Sequence, residues 1–159
     1  MEVIANTTVI SNFALISRLD VLMNTVKVCT TDQVVEELKA CIERGFFKID
    51  IEIEIAEIGE EEKDTFSKLK ERLGKGEASC LAIGMHRGLN VLTDDFDVRK
   101  FAQRTGIPVS GTIGVLVKAV EKGIISMEEG NEMLRKMIEK GFYSPIETLD
   151  KFCWSENKK

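Results

Sequence analysis

Short β-branched runs alternate with stretches of helical period along this chain, and that alternation narrows the fold more than any other feature. Each run is too brief for more than one strand, and each stretch between runs suits a single crossover helix. Strand–helix–strand repetition of this kind predicts a parallel α/β sheet covered by helices. The 159 residues match one domain, which usually takes ~100–200 residues. One domain is expected over 1–153 and a short tail over 154–159, with no internal repeat or low-complexity linker.

The first strand is expected at Thr7–Ser11, where Thr7, Thr8, Val9 and Ile10 are β-branched, with a start as early as Val3 left open. Asn12 would then cap a helix carrying Phe13, Ile16 and Leu19. A second strand follows at Val26–Cys29. Thr31 or Asp32 would cap a helix that runs to about Ile42 and closes at Gly45. Within Phe46–Ile58, Ile49, Ile51, Ile53 and Ile55 alternate with Asp50, Glu52 and Glu54. That period of two predicts a half-exposed strand whose acidic face would blunt an edge.

Glu60-Glu61-Glu62 opens a helix with Phe66, Leu69 and Leu73 as its stripe, and Gly74-Lys75-Gly76 breaks it. Glu77–Arg87 is apolar nearly all round, which predicts a central buried helix. Strands at Asn90–Thr93 and Ile107–Val109 flank a helix marked by Val98, Phe101 and Ala102. Gly111-Thr112 opens a helix to about Lys122. Ser126 and Glu129 suit a capping box for another ending near Gly141, and Ser144-Pro145 would start a last short helix.

The net charge is −5, from 22 basic and 27 acidic residues. A protein that coats DNA is usually basic. Nucleic acid remains open as a substrate, because a metal ion can supply positive charge inside an acidic pocket. No apolar run approaches the ~20 residues of a membrane span, and no Lys or Arg precedes Arg18, so neither a span nor a signal peptide is expected. Cys29, Cys41, Cys80 and Cys153 form no Cys-x-x-Cys pair, which argues against zinc and for reduced thiols in a cytoplasmic protein. His86 is the single histidine and reads as a packed or surface side chain. Met127, Met133 and Met137 read as core or interface filler. No dinucleotide fingerprint or phosphate-loop lysine motif is present. Chemistry here falls to carboxylates.

Sites in open α/β sheets form at the carboxyl ends of strands. Asn12 and Asp94-Asp95 are expected at two such ends, each before a helix whose amides add positive potential; plain capping is the alternative. Val34, Val35, Leu38, Cys41 and Ile42 define the apolar face of one helix. Glu36 points away from that face, whereas Glu37 borders it and needs a partner, either an ion pair or a ligand. Glu77 opens the buried helix, where dipole stabilisation is the plain reading. Taken together, these carboxylates suggest a hard-cation site for Mg²⁺ or Mn²⁺.

The order of these pieces resembles the PIN-domain ribonuclease family, in particular a VapC-related prokaryotic subgroup. The resemblance rests on Val9-Ile10-Ser11-Asn12 with Leu15-Ile16 and Leu19-Asp20-Val21-Leu22, on Val34-Val35-Glu36-Glu37-Leu38, and on Gly76-Glu77-Ala78-Ser79-Cys80-Leu81-Ala82. Leu92-Thr93-Asp94-Asp95-Phe96, Gly111-Thr112-Ile113-Gly114-Val115-Leu116 and Gly123-Ile124-Ile125 complete it, over roughly residues 7 to 130. The resemblance implies a three-layer α/β sandwich with a central, mostly parallel sheet. It also implies metal-dependent endonucleolytic hydrolysis of RNA phosphodiester bonds. Glu37, Glu77 and Asp95 would be catalytic and would bind Mg²⁺ or Mn²⁺ with Asn12, while Asp94 assists or replaces Asp95.

Thr93 would hydrogen-bond near the metal, unless it only caps a turn. Arg99, with Arg87, Lys100 and Arg104, would touch the RNA backbone or else form a solvated face. The implied partners are RNA, an antitoxin protein of a toxin–antitoxin pair and a second copy in a homodimer, without a membrane. The dimer contact is expected on the Glu60–Arg87 hairpin or the Met-bearing helix.

The sequence departs from the family at Asn12, where Asp is usual, and at Phe13-Ala14, where a Thr-Ser pair is common. An amide ligates without charge, so metal binding should weaken. This leaves open a catalytically weakened PIN fold acting as a binding or regulatory module. A third alternative, a phosphotransfer receiver, would need an acid pair after the first strand, and Asn12-Phe13 supplies none.

Overall fold

The opening strand lies earlier than its β-branched residues suggest. In the computed structural model, which describes residues 2–153, β1 is Glu2–Ala5 and α1 is Thr7–Leu15. Asn6 is the helix cap, and its side-chain oxygen accepts from the Thr7 amide at 2.8 Å. Val9, Ile10, Phe13 and Ala14 are all buried on one side of α1. That spacing is helical, and burial of this face overrides the β preference of Thr7 to Ile10. The strand expected at Thr7–Ser11 is therefore helix, and Asn12 lies inside that helix instead of capping one.

The next elements follow their sequence signals. They are α2 (Leu19–Thr25), β2 (Lys27–Thr30) and α3 (Asp32–Glu43), with Thr31 capping α3 through the Val34 amide. The alternating segment 46–58 keeps its in-and-out pattern as far as Ile53: Phe47 is buried, and Ile49, Ile51 and Ile53 pack on the core, whereas Ile55, expected on the same face, is exposed. Only Glu54–Ile55 joins the sheet, as β3. Anchoring by side chains on one face leaves most of that backbone unpaired, so the expected long strand is two residues long.

Then come α4 (Glu60–Leu69), α5 (Lys75–Arg87), β4 (Asn90–Leu92), α6 (Phe96–Thr105), β5 (Val109–Ser110), α7 (Thr112–Glu121) and α8 (Met127–Glu139). The last helix, α9, is Asp150–Cys153. The short helix expected at Ser144-Pro145 is absent; the Ser144 hydroxyl accepts from the Ile146 amide in a turn instead. The expected tail, 154–159, and the side chain of Cys153 lie outside the described residues.

All strand pairs are parallel, in the order β3-β2-β1-β4-β5. Helices cover both faces, giving a three-layer α/β sandwich. The most buried of them, α5, packs on β1, β4, α3 and α4. The chain leaves β1 toward β2 on one side and returns to β4 on the other, so the order reverses between β1 and β4. Such a switch point opens a crevice at the carboxyl ends of the strands.

Met133 and Met137 are core residues, as is Leu69 of α4. Cys29 and Cys80 are buried free thiols, and burial pushes the Cys29 thiol up to about 11. His86 is exposed and shares a hydrogen bond with the Thr65 hydroxyl. Among the described residues, no helix is long and apolar enough to cross a membrane.

Candidate active site

The crevice between β1 and β4 is closed at its base by backbone. The Asn6 amide donates to the Leu92 carbonyl at 2.8 Å, and the Asn6 side-chain NH₂ donates to the Thr93 hydroxyl at 3.3 Å. Asn6, not Asn12, therefore stands at the carboxyl end of the first strand. Sequence reasoning missed it, although Asn6 before the helical set Val9, Ile10, Phe13 and Ala14 is a capping signal.

Three carboxylates converge above this base from three elements. Glu37 comes from α3, on the half-buried side, while its neighbour Glu36 is exposed. The Thr7 hydroxyl donates a short hydrogen bond to Glu37 Oε1. Glu37 also lies directly over the start of α5: a Cβ at Gly76 would fall 2.6 Å from Glu37 Oε1, so any larger residue there would push the Glu37 carboxylate aside. Glu77 sits in the first turn of α5 and accepts the Gly74 amide at 3.0 Å, reaching back over its own helix N-terminus. Asp95 caps α6 by accepting the Val98 amide at 3.0 Å. The Thr93 hydroxyl accepts from the Asp95 amide, so Asn6, Thr93 and Asp95 are linked through one buried oxygen.

These acids act on one another. The Glu77 carboxyl is held above the ordinary range, first by burial, then by the charge and shared hydrogen bond of Asp95, and also by the charge of Glu37. The Gly74 amide offsets part of that rise. Burial and like charge both disfavour the ionised form of Glu77.

Asp94 does not share this pocket's chemistry. Its Oδ1 accepts from the Thr112 amide at 2.8 Å and its Oδ2 from the Asn12 side-chain NH₂ at 3.0 Å and from the Thr112 hydroxyl. Its own amide donates to the Thr8 hydroxyl. Both oxygens accept from protein donors, so Asp94 ties the start of α7 and the body of α1 to the end of β4. Asn12 belongs to the same cluster, far down α1 from the β1 end. Thr93 is fully buried and ties protein groups together, so its hydroxyl does not face a substrate. Arg99 Nη1 donates to the Thr93 carbonyl at 3.1 Å, and Arg87 is held by Glu62 at 2.7 Å. Each guanidinium thus makes a contact to the protein itself.

The donor set of the pocket is all oxygen, which suits a hard cation. Among the described residues, no three His, Cys, Asp or Glu side chains are already drawn together enough to hold a metal ion. Each carboxylate leans on a protein donor instead: Glu37 on Thr7, Glu77 on Gly74 and Asp95 on Val98.

No curated protein and no solved structure matches the chain. The sequence model of the PIN-domain family matches residues 2–156, nearly the whole chain. With its parallel sheet and switch-point crevice, the chain belongs to the PIN-domain family, a family of nucleases that generally use divalent metals.

Proposed function

We propose that the chain is a divalent-metal-dependent endoribonuclease that hydrolyses RNA phosphodiester bonds in the β1–β4 crevice. The observation that carries this reading is the convergence of Glu37, Glu77 and Asp95, with the Glu77 carboxyl pushed up by burial and by its acidic neighbours, a repulsion that a bound cation would relieve. In this reading those three residues hold Mg²⁺ or Mn²⁺, and Asn6 takes the first position that the sequence assigned to Asn12. When bound, the ion would supply the Lewis acidity for attack on the phosphate. Thr7 orients Glu37, Thr93 fixes Asn6 and Asp95, and the Gly74 amide steadies Glu77. The N-termini of α5 and α6 add fixed positive potential where a phosphate would approach.

A second reading, a PIN fold weakened in catalysis and kept for binding, is favoured by one feature. Asn6 brings no charge, and both its oxygen and its NH₂ are already bonded. Cleavage of a labelled RNA in Mn²⁺ by the native chain, by Asn6→Asp and by Glu77→Gln separates the two. The enzyme reading expects cleavage by the native chain, faster cleavage by Asn6→Asp and none by Glu77→Gln. Inert native and Asn6→Asp proteins that still bind the RNA would establish the binding reading.

The same family reading proposes a toxin with a small antitoxin partner, and a homodimer. Burial of Met133 and Met137 inside the monomer moves any dimer contact off those methionines. Light scattering at micromolar concentration tests the dimer; a clean species at the 17.8 kDa of one chain rejects it.

A further inference from the structure

One face of α6 leads away from the carboxylate pocket. Asp97, Lys100, Phe101 and Arg104 recur at helical spacing along it. Opposite stand Leu69, at the end of α4, and Arg72 and Leu73 in the turn that follows. Together they enclose a groove of about 330 Å³. Its floor is apolar, made by Leu69, Leu73 and Phe101, and its rim carries Arg72, Lys100 and Arg104 against the single acid Asp97.

In a chain of net charge −5, this concentration of cations runs against the overall balance. Arg72 and Arg104 are exposed and make no ion pair among the described residues. At the pocket end of the groove, Phe96 follows Asp95 directly and is 74% exposed. Lys100 lies 6.0 Å from its ring centroid. A large aromatic ring this open at the first position of a helix contributes little to the core.

We propose that this groove is the path of single-stranded RNA into the pocket, with Arg72, Lys100 and Arg104 on successive phosphates and Phe96 stacking an unpaired base. The proposal rests on the nuclease reading above and assigns its substrate surface to residues other than Arg87 and Arg99, which are turned to protein partners. Cations spaced along a groove track a phosphate backbone, and an exposed ring accepts any base face without reading sequence. An A-form duplex keeps its bases stacked inside and offers nothing to Phe96.

Fluorescence anisotropy with labelled oligouridylate in EDTA tests the surface apart from catalysis. Triple substitution Arg72→Ala/Lys100→Ala/Arg104→Ala should weaken binding roughly tenfold or more and flatten the log–log salt slope by about 2, from ~0.7 per lost single-strand contact. Phe96→Ala should weaken it about fivefold or more with the salt slope unchanged. A control triple, Lys27→Ala/Lys48→Ala/Lys140→Ala, removes equal charge from dispersed exposed sites and should leave affinity within about twofold. An oligoadenylate–oligouridylate duplex should bind more weakly than the single strand.

Thermal melts should match the native protein for every variant. Native-like binding by the first triple, equal loss in the control triple, or equal affinity for duplex and single strand each overturns the proposal. Binding that depends on the groove without any Mn²⁺-dependent cleavage defeats the nuclease reading and leaves the surface standing. Cleavage that survives the groove substitutions does the reverse.

Discussion

Asp94 and Asp95 are neighbours in sequence at the end of the same strand, yet they do opposite things. Asp94 is closed: the Thr112 amide and hydroxyl and the Asn12 side chain occupy its oxygens. The fit is tight enough that a Cβ at Gly111 would fall 2.4 Å from its Oδ1. It pins the N-terminus of α7 and the body of α1 to the end of β4. Asp95 is open: one oxygen caps α6, and the carboxylate faces Glu77, a like-charged partner. A carboxylate surrounded by donors serves the fold; one facing another acid carries a repulsion that a bound cation would relieve. The alternation of side chains at a strand end puts these two environments one residue apart.

The largest expected effect breaks the closed member. Asp94→Ala strands the Thr112 amide and leaves the Asn12 NH₂ only its bond to the Thr112 hydroxyl, and hydrogen bonds to a charged group are worth ~1.5–3 kcal/mol each. We expect a loss of about 3 kcal/mol or more, read as the shift in urea midpoint. Asp95→Ala removes a helix cap worth about 1 kcal/mol and also relieves repulsion on Glu77, so it should cost less than that. Equal losses in the two variants would end the distinction between closed and open acids.

Glu62 sharpens the comparison from another part of the molecule. It is buried, the Arg87 guanidinium holds its carboxyl below the ordinary 4.5, and the Gly59 amide helps. A depressed folded pKa contributes stability that is present above 4.5 and disappears as pH falls through the folded value. Glu62→Gln should therefore cost about 1–2 kcal/mol at neutral pH. Its disadvantage should vanish at the acid end of a stability–pH profile. A variant whose profile runs parallel to the native one down to acid pH argues against this pairing.

Glu77 should give the smallest effect, with the opposite sign. Its folded pKa is raised, so ionisation costs the native protein stability as pH climbs from 4.5 through the folded value. Glu77→Gln keeps the oxygen that accepts the Gly74 amide and removes the charge. In EDTA the variant should melt higher than the native protein at neutral pH and the same at acid pH. Adding Mn²⁺ should raise the native melting temperature and leave the variant's unchanged, because only a bound ion stabilises the native state. A lower melting temperature for Glu77→Gln in EDTA at neutral pH would show that the pocket carries no strain.

Much of the frame is written locally. Thr31 before the Val34–Leu38 face and Ser126 before Glu129 each mark a helix start that the structure keeps. Helical geometry alone separates Glu37 from Glu36, since ~100° per residue puts them on different faces. The resemblance to the PIN-domain family likewise follows from short motifs in order, and the family match covers those motifs.

What the chain by itself determined is therefore the alternation of elements, several of their caps and which carboxylates border the core, because each depends on neighbours within a few residues. Tertiary structure alone decided where the first strand lies, how much of 46–58 joins the sheet and which of two adjacent aspartates faces the pocket. Thr7 to Ile10 carry β preferences worth less than ~1 kcal/mol each, and burial of Val9, Ile10, Phe13 and Ala14 against the core outweighs them. The fate of Asp94 depends on Thr112 and Asn12, which are 18 and 82 residues away, and no local rule ties those three together.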